Sequence, residues 1–419
     1  MLNPKTNTRE LAYVVNIDAI EPILGSDNCE CAIVGGWHVM VRKNEFKVGD
    51  PAIYFEIDSY LDPSNPVFSF MKKKNYKVKT QRYTFGGKGN FISQGLLMSA
   101  ANFGWTIEKD TQDSSGDVYF IIDDKGEYHY SGGESRFLTK QLGVTYYIAE
   151  DNTRKANSTD KYKRMAQRNG KLFSHQPFRW LMKRDWGKKL LFAFFGRKRD
   201  KKSGWPAWVV KTDEERIENL SFLFNDKSDW IATEKIDGSS STFTLKRGHG
   251  LHKDEFYVCS RNVVFDKPDK PCYYDTNIYL EIAEKYDIFN KMTDLLHNHF
   301  TDCEWITIQG EIYGQKVQRR DYHINERNFM AFNFITSKEG RWNSVRMKDL
   351  IEKIYGIPCV PILNEHYILP DTIEELRTYV DSQASIIDGD MREGIVFRSQ
   401  DGSRSFKCVS PAYLIKYHN

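Results

Sequence analysis

An α+β chain is what the sequence predicts, with a small antiparallel barrel first and a domain of mixed antiparallel sheet and helix second. Three observations carry that expectation. The 419 residues exceed one ordinary domain. Residues 9 to 100 read as short strands punctuated by Gly, Pro and Asn turns. From Trp205 onward, strand-like runs mix with stretches of helical period.

In the first region, Leu11 to Val15, Trp37 to Val41 with period two, and Ala52 to Ile57 after the Gly49-Asp50-Pro51 turn are the strands. Lys72 to Lys79 and Arg82-Tyr83 interleave basic and aromatic residues, which suits a face for single-stranded nucleic acid and equally an exposed basic loop. Residues 152 to 171 are polar and basic, as in a linker. Phe178 to Phe195 sets Trp180, Leu181, Trp186, Leu190 and Leu191 among basic residues, a candidate amphipathic helix for nucleic acid, an acidic membrane or the protein's own core. Beyond Trp205, helical periodicity runs from Glu281 to Phe300, and Thr372-x-x-Glu375 reads as a capping box. Trp305 to Ile312, Phe329 to Ile335 and Gly394 to Arg398 read as strands. The expected division is 1–150, a basic segment at 151–204, and 205–419.

Net charge is +3, which conceals strong polarisation: residues 152 to 202 carry +14 and the rest of the chain −11. Such a segment suits a polyanion partner, or a solvated face. No apolar run is long enough to span a bilayer, and the N-terminus lacks the apolar core of a secretory signal, so no membrane role is expected. Seven cysteines without a C-x-x-C pair fit a reducing, intracellular setting, cytoplasmic by expectation, and no structural zinc. Cys29 and Cys31 read as small hydrophobes on a strand.

The chemistry centres on Glu234-Lys235-Ile236-Asp237-Gly238, between strand-like runs. A free lysine has a pKa of roughly 10.4, so it becomes a nucleophile near neutrality only when its surroundings favour the neutral amine. Gly238 is expected to let a ligand approach. Alone, K-x-D-G is a common surface turn. It is followed by Ser260-Arg261-Asn262, Gln309-Gly310-Glu311-Ile312-Tyr313-Gly314, Phe329-Met330-Ala331-Phe332-Asn333-Phe334, Arg392-Glu393-Gly394-Ile395-Val396-Phe397-Arg398 and Ser405-Phe406-Lys407-Cys408.

In this order the segments resemble motifs I, Ia, III, IIIa, IV and V of the covalent nucleotidyltransferases, the superfamily of polynucleotide ligases and RNA capping enzymes, whose catalytic domain is ATP-grasp-like. The resemblance implies that Lys235 attacks the α-phosphorus of ATP, forming a lysyl–AMP phosphoramidate. It implies nucleotide contacts from Glu234, Arg261, Glu311 and Lys407, and Mg²⁺ or Mn²⁺ held by Asp237, Glu311 and Glu393, with the metal lowering the lysine's pKa. Phe332 matches the aromatic that stacks on the purine, although Phe329, Phe332 and Phe334 are all candidates for the core. Many relatives carry a second lysine two residues after the one matching Lys407. Here that place is Val409, and Lys416 is only a weak substitute. Lys211 to Asn219 looks like a segment shared by one group of RNA ligases, which makes Arg216 a phosphate-contact candidate; unaided, it reads as a charged helix start.

Gly36-Trp37-x-Val39 and Val48 to Phe55 resemble the OB module of the RNA ligase branch built OB domain first. DNA ligases and capping enzymes continue past motif V into an OB domain, whereas twelve residues follow Lys407 here. The expectation is therefore a monomeric, ATP-dependent RNA ligase that joins 5′-phosphate to 3′-hydroxyl RNA ends. The alternatives are a DNA-joining or GTP-using relative, and a non-catalytic nucleic-acid-binding protein with a decayed ligase domain.

Overall fold

The computed structural model describes residues 1–3, 8–85, 90–109, 119–123, 125–126, 128–130, 136–146, 175–182, 184, 186–189, 191, 205–209, 211, 213–250, 252–261, 263–265 and 276–418. Most of the basic 152–202 segment lies outside them.

The N-terminal region is all strand and short 3-10 turn. Ala12–Asn16 pairs antiparallel with Pro51–Phe55, which pairs with Leu96–Met98. Ala19–Pro22, Cys29–Val34 and Trp37–Arg42 form a meander. The strands divide among small open sheets, an arrangement compatible with the small antiparallel barrel expected from the sequence. Their inward residues make two cores: Leu11, Val14, Ile53, Phe55 and Phe68 on one side, Tyr13, Val34, Trp37, Val39 and Tyr54 on the other. Alternation explains this, because Trp37, Val39 and Val41 point inward while His38, Met40 and Arg42 do not.

The C-terminal region rests on two sheets. Five strands run in the order Glu215–Arg216, Ser405–Val409, Gly394–Ser399, Asp229–Lys235 and Ile362–Ile368. Six run Val264–Phe265, Glu255–Ser260, Ser239–Lys246, Trp305–Gly314, Arg327–Thr336 and Gly340–Arg341. One face of the six-stranded sheet packs Ile306, Ile308, Phe329 and Phe334 against helices Ile278–Lys285 and Ile288–Asp294. The periodicity after Glu281 is thus realised in pieces, interrupted at Asp287, whose φ is +50°. One face of the five-stranded sheet packs Trp230, Ala232, Phe397 and Phe406 against helix Ile373–Ser382. That helix starts at the expected capping box, with Thr372 and Glu375 each accepting from the other's backbone N–H. The remaining faces of the two sheets border a cleft.

Among the described residues no helix is long and apolar enough to cross a membrane. Cys31 is buried and Cys29 half-buried on their strand.

Candidate active site

Strand Asp229–Lys235 of one sheet ends at its lysine, and after a three-residue turn the chain enters Ser239–Lys246 of the other. Lys235 therefore stands where the two sheets part. Glycine at 238 has a different cause from the one expected. A Cβ there would lie 2.2 Å from the Ile312 carbonyl oxygen and 2.9 Å from Glu311 Cγ, so the demand comes from close packing of the turn on strand Trp305–Gly314.

Strand pairing brings the other residues in. Arg216 is opposite Lys407, Lys407 opposite Val396, and Val396 opposite Thr233, a single row across four strands. Lys235 is opposite Gly394, which follows Glu393. Glu234, Lys235, Arg261, Glu311, Phe332 and Lys407 all line one cleft. Of the remaining candidates, Glu393 ion-pairs with Lys235 at 2.6 Å, and Asp237 lies within 4.8 Å of Glu393 and His418. Arg216 is buried behind Lys407, 3.7 Å from Asp58.

Three carboxylates crowd the lysine. Burial, with Glu393 and Asp237 adding to it against the pull of Lys235, pushes Glu311 up to about 8. Burial also pushes Glu393 up. Burial works to lower the Lys235 pKa, but Glu393, Glu311 and Asp237 together outweigh it and hold the ammonium form above its usual range. The sequence expectation was a lysine lowered by a metal; the protein's own groups do the opposite. Asp237 is kept low despite burial by His418, Lys235 and Tyr413, whose hydroxyl donates to Asp237 Oδ2 at 2.8 Å. Hard oxygen donors at this density suit Mg²⁺ or Mn²⁺, which would relieve the carboxylate repulsion that adds to burial in raising Glu311 and Glu393.

Phe332 owes its place to a β-bulge. Asn333 faces Gln309 and Ala331 faces Gly310, so Phe332 is the extra residue between them. Phe329 and Phe334 are fully buried in the helix-side core, whereas Phe332 is half-buried beside the cleft. Glu234 is held by the 385–386 segment: Ser385 Oγ donates to Oε1 at 2.5 Å and the Ile386 amide to Oε2 at 2.9 Å.

Several cleft residues escaped the sequence reading. Asp213 bridges Lys407 at 3.1 Å and Arg261 at 2.6 Å, with Arg9 4.0 Å away. Burial opposes its ionisation, yet these cations bring it down to about 2. Arg398, buried and pushed down to about 10 by desolvation, pairs with Glu214 at 3.3 Å. Period two from Val396 would have found Arg398; no local signal announces Asp213, Tyr413 or His418. Val409 points into the N-terminal core, and Lys416 lies 3.7 Å from Asp390. Arg216 is the cation beside Lys407 instead.

Residues 228–418 match the RNA ligase family model, and residues 11–100 match an OB-fold domain model. Solved structures of Naegleria gruberi RNA ligase are similar in fold. A lysine-to-alanine variant with ATP and Mn is 23% identical with a TM-score of 0.67, covering 98% of this chain and 99% of that one. A glutamate-to-alanine variant with ATP and Mn is 23% identical with a TM-score of 0.68, covering 98% and 100%. An aspartate-to-alanine variant without ligand is 24% identical with a TM-score of 0.67, covering 98% of each. A comparison with curated proteins finds no match. Residues 228–418 are thus similar to the RNA ligase family, and an OB-fold domain lies ahead of that region.

Proposed function

We propose that the protein is an ATP-dependent RNA ligase that joins 5′-phosphate and 3′-hydroxyl ends through a lysyl–AMP intermediate on Lys235, in RNA repair. The observation that carries this reading is one cleft lined by Lys235, Glu311, Phe332 and Lys407, with Glu393 2.6 Å from the Lys235 amine. The Naegleria gruberi ligase has been solved with ATP and Mn, which supports ATP as cosubstrate and a divalent metal.

In the first step Lys235 Nζ forms a bond to the α-phosphorus while the bond to the pyrophosphate oxygen breaks. Glu393 is the acceptor within reach for the proton that must leave Nζ. Lys407 and Arg261 supply positive charge to the phosphates, and Phe332 stacks on the base. Asp237, Glu393 and Glu311 would hold the metal, which when bound neutralises phosphate charge and disfavours the ammonium form of Lys235. AMP then passes to the RNA 5′-phosphate, and the 3′-hydroxyl displaces it. Each transfer is an in-line displacement at phosphorus, so one set of side chains serves all three.

The test is incubation with α-labelled ATP or GTP and Mg²⁺ or Mn²⁺, then denaturing electrophoresis of wild type and Lys235→Ala. Label retained from ATP by wild type and lost in the variant supports the reading. Absence of label on folded, non-adenylylated protein overturns it, and label from GTP alone moves it to a GTP-using relative. Sealing of 5′-phosphorylated RNA then tests the acceptor.

A further inference from the structure

We infer that the turn carrying Trp180, Arg184 and Trp186 is a stacking platform for single-stranded RNA, separate from the cleft. Both indoles are large and outward: Trp180 is 50% and Trp186 55% exposed. They meet edge to face at 6.1 Å, and the Arg184 guanidinium carbon sits 3.8 Å from the centre of the Trp180 ring. The turn is tight, since a Cβ on Gly187 would lie 2.2 Å from the Leu181 carbonyl oxygen. That holds the second indole close to the first.

The occupant follows from charge and from which apolar groups face outward. In sequence the platform falls within the 152–202 stretch, which carries +14, so a polyanion is the complementary partner. A membrane-surface helix needs a continuous apolar face of Leu, Phe and Trp running over several turns. Here helix Gln176–Met182 is only seven residues, Leu191 is buried, and Leu181 and Met182 are half-buried, leaving indole and guanidinium planes outside. Flat aromatic and guanidinium surfaces in a cationic setting are what unpaired bases stack on. A duplex hides its base faces, so the platform selects single strands. It would hold a strand bearing an end to be sealed, and in that respect the inference rests on the proposed ligase activity.

The test measures binding of labelled oligouridylate and oligoadenylate by fluorescence anisotropy across a salt series. It uses the full chain as wild type, Trp180→Ala/Trp186→Ala and Trp180→Phe/Trp186→Phe. The alanine pair should bind about tenfold or more weakly, from loss of base stacking. The dependence on salt should keep its slope, because no phosphate contact is removed. The phenylalanine pair should recover part of the affinity, and labelling of Lys235 by ATP should be unchanged in both. Unchanged RNA affinity in the alanine pair overturns the platform, as does a loss confined to vesicles of anionic lipid. A reduced salt slope in the phenylalanine pair would also overturn it, since the rings would then be acting only by arranging charge. Failure of the ligase reading shows separately, as absence of Lys235 labelling in wild type.

Discussion

Two lysines in the cleft are tuned in opposite directions, and their pH dependence follows. Burial opposes charge on both, but Lys235 has Glu393, Glu311 and Asp237 to hold its proton, while Lys407 has Asp213 against Arg9, Arg216 and Lys235 and is lowered to about 8. On the proposed mechanism, Lys235 gains nucleophilic amine as pH rises, and above about 8 Lys407 loses the charge proposed to meet the phosphate. Lysine adenylylation should therefore climb with pH and bend over near the Lys407 value. Lys407→Arg keeps its charge throughout and should remove the alkaline bend, read from initial rates at low ATP. A bend unmoved by the substitution would assign it to another group. Phe332→Leu keeps an apolar side chain but loses the stacking face, so KM for ATP should rise by a factor of about 2 to 13, from about 0.5–1.5 kcal/mol. The rate at saturating ATP should hold; a fall in that rate with KM unchanged would count Phe332 as structural.

At the scale of strands and turns, Gly238 and Phe332 mark the limit of what the sequence discloses. The strands, the capping box at Thr372 and the motif order were legible because they depend on local alternation, cap chemistry and resemblance. The bulge that turns Phe332 to the cleft was not, because it exists only in the register between Trp305–Gly314 and Arg327–Thr336. Nor was the row from Arg216 to Thr233, which interleaves strands from around 215–235 with strands from 394–409, far apart in sequence. Gly238 is crowded by a strand more than seventy residues away, a constraint that no pattern local to it announces. Gly238→Ala should therefore push the turn off Ile312 and displace Lys235 from Glu393. A cost of about 1–3 kcal/mol is expected from overpacking, seen as a lower thermal midpoint together with slower adenylylation. Slower adenylylation at an unchanged midpoint would restore the ligand-approach explanation.

Across the whole molecule, the two regions are joined through motifs that lie far apart in sequence. Gly36 and Trp37 of the N-terminal meander meet Glu218 and Asn219 of the Lys211–Asn219 stretch: the Gly36 amide donates to the Glu218 carbonyl at 2.7 Å, and Trp37 Nε1 to Asn219 Oδ1 at 2.8 Å. Arg377 ties the same corner, donating to the Gly36 carbonyl at 3.0 Å. Beneath it lies Glu56, fully buried, accepting from Tyr13 and Asn219 at 2.9 Å each and from Arg9 Nε at 2.8 Å. Arg9 in turn reaches toward Asp213 in the cleft, so this one carboxylate connects the docking of the two regions to the charges around Lys407. Burial favours the protonated acid, but Arg9 and the other cationic and hydrogen-bonding partners win and hold Glu56 well below the usual carboxylate range. A carboxylate depressed in the folded state contributes stability that is present above its unfolded pKa of about 4.3 and is lost as pH falls toward the folded value. Glu56→Gln preserves shape but leaves Arg9 buried without its counter-charge, a loss of about 3–5 kcal/mol near neutral pH. The gap between wild type and variant in the urea midpoint should be widest near neutrality and should narrow below about pH 4, where the wild type starts to lose the same interaction. A gap that stays constant down to that pH would mean that Glu56 acts through its hydrogen bonds alone, leaving the charge on Arg9 to be balanced by Asp213.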